Sequence, residues 1–142
     1  NHPEIRLVAS LAGFNIGVYG DMIFGSNKLI KDAAAQWEDS IPPLKGITAE
    51  EFLVDAVENR KKWNLKNIAE KLKSHSILMV AGSRDDVSII NEHHESLVNT
   101  IQKHEINDLK NIVLNADHSF SDKRIALGKI VLSWLLEQRE KK

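Results

Sequence analysis

Two apolar runs separated by a helical stretch constrain this chain more than anything else in it. The first, Ile77-Leu78-Met79-Val80-Ala81, ends in Gly82-Ser83-Arg84-Asp85-Asp86, and the second, Ile112-Val113-Leu114, ends in Asp117-His118-Ser119-Phe120. Between them His94, Leu97, Val98 and Ile101 recur at helical spacing. Strand, helix and strand over about this length make one βαβ unit, ~30 residues or more. Its crossover makes the two strands parallel, so their C-terminal ends lie at one edge of the sheet. Ligands and chemistry collect at that edge in open parallel sheets. An acid follows the first strand and a histidine the second. Neighbouring strands are roughly 4.8 Å apart, so two short loops bring carboxylate to imidazole. That is the orienting half of a nucleophile–His–acid arrangement.

The remaining chain supplies one more strand and much helix. Residues 5–13 carry Leu7, Val8, Ala9, Leu11 and Ala12, a near-continuous apolar run of the kind a buried parallel strand shows. Gly13-Phe14-Asn15-Ile16-Gly17 follows at its C-terminal end, either a site-facing loop or a Gly-punctuated one with Phe14 packed in the core. Ser26 is placed to cap a helix with Leu29, Ile30, Ala33, Ala34 and Trp37 on one face, which Pro42-Pro43 then stops. Thr48-Ala49-Glu50-Glu51 is a capping box opening a helix with Phe52, Leu53, Ala56, Val57 and Trp63 on one side. Leu65, Ile68, Ala69 and Leu72 make a further short amphipathic piece. Roughly 50 residues of helix between parallel strands far exceed a simple crossover, and suggest a cap inserted over a site. After His118, Ser121 or Asp122 is expected to cap a last helix whose face of Ile125, Ala126, Ile130, Val131, Trp134 and Leu135 buries against the sheet.

Composition narrows the function classes. Nineteen basic and 20 acidic residues give a formal charge of −1, which offers no electrostatic reason to bind nucleic acid or an anionic membrane. With no cysteine in 142 residues, disulfides, thiolate metal sites and a cysteine nucleophile are excluded. Glu92-His93-His94-Glu95 lacks the i, i+4 histidine spacing of a zinc helix, so His93 is expected to face solvent and His94 to be partly packed, with no metal. The Asp85-Asp86 pair also suits a magnesium-dependent phosphoacceptor of the receiver type, but that fold wants its acidic pair after the first strand, whose tip here has no acid.

Gly82-Ser83-Arg84-Asp85-Asp86-Val87 followed by Asp117-His118-Ser119-Phe120 resembles the last third of an α/β-hydrolase. In that family the order is nucleophile, acid, histidine. The resemblance extends over residues 7–13 as the preceding strand, 19–73 as a helical cap insertion and 122–136 as the closing helix. It implies a single domain over 1–142, a three-layer α/β/α fold with a small parallel sheet of about three strands. It further implies a serine hydrolase that cleaves an ester, amide or peptide bond, without cofactor. Asp85, third after Gly82, would be the acid and His118 the base, Asp86 would brace the loop, and Phe14 and Asn15 would contact substrate. The family's Gly-x-Ser-x-Gly elbow is absent, since Ser10 lies between Val8 and Ala12, and Ser83 between Ala81 and Asp85. The nucleophile is therefore expected upstream of Asn1, and the chain is expected to self-associate or to pair with an N-terminal half. A non-catalytic α/β binding module is the competing expectation, and localisation is open.

Overall fold

In the computed structural model, residues 4–38, 46–106 and 108–141 are described; the Pro42-Pro43 stop lies outside them. Three strands, β1 (Leu7–Leu11), β2 (Ser76–Gly82) and β3 (Leu109–Leu114), form one parallel sheet in the order β1-β2-β3. β2 is paired on both sides, Leu11 standing opposite Val80 and Gly82 opposite Leu114. Every residue from Ile77 to Gly82 is buried in consequence.

Alternate side chains of a strand point to opposite faces, and β2 divides the core accordingly. Ile77 and Met79 pack with Leu97, Val98 and Ile101 of α5 (Ser96–Lys103) and with Ala69 and Ile106. Leu78 and Val80 pack with Ala12, Ala116, Phe120 and Trp134, the last from α6 (Arg124–Glu140). This is an α/β fold with a three-stranded parallel sheet. A six-residue π-helical segment, Ile90–Glu95, leads into α5.

Two sequence expectations are corrected here. The apolar run over residues 7–13 predicts a strand covered on both faces, yet Leu7 and Leu11 of β1 are 38% and 42% exposed and Ala9 is exposed between them. By the register these three share the face of Leu78 and Val80, so β1 on that side lacks the cover that β2 has. The last helix keeps Ile130, Val131 and Trp134 on the sheet, but Ile125 is 78% exposed and Leu135 43%. Its aliphatic residues run all round the helix, so periodicity read from them alone could not single out the inner face.

The helical segment forms its own compact unit, Asn15–Asn67, within which lie α1 (Ile16–Ile23), α2 (Asn27–Trp37), α3 (Ala49–Glu58) and α4 (Arg60–Trp63). The expected insertion, 19–73, also takes in the 3₁₀ segment Leu65–Leu72. Ser26 caps α2 through the Leu29 amide, and Thr48 and Glu51 form the reciprocal capping box of α3. Ile23, Ile30, Ala33, Ala34, Ala49 and Leu53 make the core of this unit. Beside it Tyr19 and Phe52 each stack on Trp37. Among the described residues, no helix is long and apolar enough to cross a membrane.

The punctuation at Gly13 and Gly17 allows a loop over residues 13–17, yet α1 already begins at Ile16 and Gly17 has a packing task within it. A Cβ on Gly17 would lie 2.2 Å from the Asn64 amide nitrogen and 2.6 Å from the Arg60 carbonyl oxygen. Gly-to-Ala in an unhindered helix gains about 1 kcal/mol; here the methyl would displace backbone. Gly17→Ala should therefore lower stability by roughly 1–3 kcal/mol, measured by urea denaturation with tryptophan fluorescence. An unchanged or raised midpoint would show that the helices do not need this approach.

Candidate active site at the strand ends

The site begins with a backbone contact. A Cβ on Gly82 would stand 2.5 Å from the Ala116 carbonyl oxygen and 2.8 Å from that of Asp117, so the chain leaving β3 passes directly over the end of β2. Two further bonds join the loops, from the Ser83 N–H to the Leu114 carbonyl (2.8 Å) and from the Arg84 N–H to the Ala116 carbonyl (3.0 Å). The Arg84 guanidinium adds an exposed clasp to Asn115 and Asp122.

The loops held this way bring Asp85 and His118 together. His118 Nδ1 lies 2.9 Å from Asp85 Oδ2. Asp85 Oδ1 accepts two backbone amides, Val87 N–H at 2.9 Å and Ser88 N–H at 2.7 Å. The Asp85 side chain is 1% exposed and the His118 ring 36%. A carboxylate facing Nδ1 places the proton on that nitrogen, which leaves the Nε2 lone pair available to accept a proton from elsewhere. The arrangement can hold a base in one tautomer and stabilise the imidazolium that forms when it takes a proton.

Asp117, adjacent to the histidine, has a different task. Its Oδ1 accepts the Ser121 N–H at 2.8 Å, closing the turn after His118. That bond holds its carboxyl below the ordinary carboxylate range. Phe120, in the same turn, has φ +50° and is buried against Trp134. Neither Ser121 nor Asp122 caps α6, which starts from Lys123 without a side-chain cap. Asp86 is exposed and points to no role in the pair.

Of the two residues expected to contact substrate, Phe14 stacks on His93 with ring centroids 4.3 Å apart. Asn15 is 1% exposed and its amide is engaged, donating to Asn64 Oδ1 (3.2 Å) and accepting the Leu65 N–H (3.3 Å). This placement gives Asn15 a structural task inside the helical unit and leaves it no surface for a ligand. The expected exposure of His93 is also corrected, since both histidines are buried, at 2% and 3%. His94 Nε2 lies 2.7 Å from Asn111 Oδ1 on β3. Among the described residues, no three His, Cys, Asp or Glu side chains gather where a metal ion could be held.

Ser88 was missed in the sequence, although the spacing Asp85-x-x-Ser88 is what a carboxylate gathering the amides that follow it requires. The chain matches no family model, and comparison with curated proteins and with solved structures finds no match either.

Two outcomes test this geometry. Because Oδ1 is pinned by two amides, Asp85→Asn must turn its NH₂ toward Nδ1, forcing the His118 proton to Nε2. Imidazole ¹⁵N shifts should show an Nδ1–H ring in the wild type and an Nε2–H ring in the variant; the same tautomer in both would refute the pairing. The second concerns acid. A lowered Asp117 pKa contributes stability that is present above about pH 4, the ordinary carboxylate value, and is lost as pH falls through the lowered one. Urea midpoints should thus fall less steeply below pH 4 for Asp117→Asn than for the wild type, and equal slopes would remove Asp117 from the account.

Proposed function

We propose that this chain carries the acid and the general base of a serine hydrolase of the α/β-hydrolase type, which cleaves an ester, amide or peptide bond through an acyl-enzyme. The observation that carries the reading is the 2.9 Å contact of His118 Nδ1 with the buried Asp85 carboxylate, beyond the C-terminal ends of neighbouring parallel strands. In this mechanism a serine hydroxyl gives its proton to His118 Nε2 as its oxygen attacks the carbonyl carbon. His118 then passes that proton to the leaving group, and Asp85 stabilises the imidazolium between the two transfers. Water repeats the sequence to release the acid.

The serine and the oxyanion hole belong, on this reading, to polypeptide outside these residues. No Gly-x-Ser-x-Gly elbow occurs in the sequence, and the hydrogen bond of His118 goes to Asp85 rather than to any serine among the described residues. The same reading makes the two packed clusters flanking β2 the interlayers of an α/β/α sandwich, and the helical unit its cap. It also assigns the outer edge of β1, with Leu7, Ala9 and Leu11 exposed beside it, to a further strand, from an N-terminal half or from a second copy of the chain. An exposed strand edge is a template for such pairing.

The exposed β1 also favours the second reading, a non-catalytic module that binds a protein partner there. Fluorophosphonate labelling and a chromogenic acyl ester distinguish the two. The chain alone should neither label nor exceed a His118→Ala control, because acid and base without nucleophile or oxyanion hole give little transition-state stabilisation. Extended by its upstream reading frame, the protein should label on a single serine, and Asp85→Asn should cut turnover by ~10⁴-fold. Turnover by the chain alone would place the nucleophile among Ser10, Ser83 and Ser119. An upstream frame without a reactive serine would leave the binding module.

A further inference from the structure

We infer that Ser88 is a positioning residue for the Asp85–His118 pair, fixing the acid from the loop that follows β1. The inference deepens the acid–base reading above and rests on it for its functional meaning. Ser88 is 4% exposed and uses its two polar groups in two directions. Its N–H donates to Asp85 Oδ1 at 2.7 Å, and its hydroxyl donates to the Gly13 carbonyl oxygen at 2.8 Å.

The partner at Gly13 is itself held in place. Backbone pairing of β1 with β2 ends where the Ala12 N–H meets the Val80 carbonyl at 2.9 Å, with Ala12 at φ +48°. The chain then folds back on its own strand so closely that a Cβ on Gly13 would lie 2.2 Å from Ser10 Oγ. Beyond that point the Ser88 hydroxyl continues by side chain the connection that the sheet no longer makes. Phe14, the next residue, stacks on His93, so the stretch from Ser88 to His93 is tied to the β1 loop at both ends. A carboxylate held only by the amides of its own loop would move with that loop. Through Ser88, Asp85 is referenced to β1 as well as to β2, and the direction of Oδ2 toward His118 follows.

The test reads His118 directly in the ¹⁵N-labelled chain, with no substrate, so it stands apart from the search for a nucleophile. A failed phosphonate experiment would remove the hydrolase reading and leave these readouts unchanged. Ser88→Ala keeps the amide on Asp85 and removes the hydroxyl from Gly13; Ser88→Thr keeps both. In Ser88→Ala, exchange of the His118 Nδ1 proton should quicken by roughly fivefold to tenfold, the scale of one lost hydrogen bond. The Nε2–H tautomer should appear beside it, and Ser88→Thr should restore the wild-type pattern. The amide of Leu78 in β2 serves as the reference for general destabilisation. Equal acceleration at Leu78 and His118, an unaltered His118, or failure of threonine to rescue would each overturn the assignment. Should Ser88→Ala not fold, the wild type still decides. Its Ser88 hydroxyl proton should exchange slowly and show a nuclear Overhauser effect to Gly13, and a rapidly exchanging hydroxyl overturns the proposal.

Discussion

The contact on which the rest of this site depends is the passage of the Ala116-Asp117 backbone over Gly82. Parallel strands cannot be joined by a tight turn, so nothing in the connectivity requires the loops after β2 and β3 to touch. They touch because residue 82 has no side chain, which lets two carbonyl oxygens occupy the space a Cβ would take. The amides of Ser83 and Arg84 then bond to the neighbouring loop, and Asp85 and His118 come within hydrogen-bond reach. Their meeting is thus settled by main-chain packing before any charge is considered.

The carboxylates around the histidine divide their tasks by what each already holds. Asp117 is nearest in sequence, but the Ser121 amide occupies it and shapes the turn that presents the ring. Asp122 is paired with Arg84 at the surface. Asp85 alone is buried with one oxygen saturated by amides and the other facing imidazole. A carboxylate oriented in this way cannot rotate to lose its partner without breaking two backbone hydrogen bonds. Its orientation, more than its charge, is what the surrounding chain provides.

The parts of this architecture that were legible in the sequence are those governed by local rules. The runs at Ile77 and Ile112, the Thr48–Glu51 box, the Ser26 cap and the pairing of Asp85 with His118 all follow from spacing and from where parallel strands end. What stayed hidden depends on tertiary approach. Gly17 reads as loop punctuation because a sequence does not show the Asn64 backbone that needs its empty position. The aliphatic residues of α6 surround the helix, so the face expected from them includes Ile125 and Leu135, which the sheet leaves exposed. Helical spacing turns His93 away from the packed side that holds His94, whereas the Phe14 ring on the loop after β1 decides the burial of His93. Asn15 looked site-facing by position, and its partner lies 49 residues away.

The π-helical segment before α5 has a consequence for how this chain can vary. Adjacent residues there reach outward to different strands, His93 to the loop after β1 and His94 to Asn111 on β3, so a single turn straddles the central strand and joins the two beside it. A π turn holds one residue more than the α-helix around it. Losing one residue between Ile89 and Ser96 would keep the apolar spacing of α5 intact while rotating both rings away from their partners. Substitutions in this stretch change a contact, but a change of length uncouples the edges of the sheet, so its residue count is under tighter constraint than its residue identities.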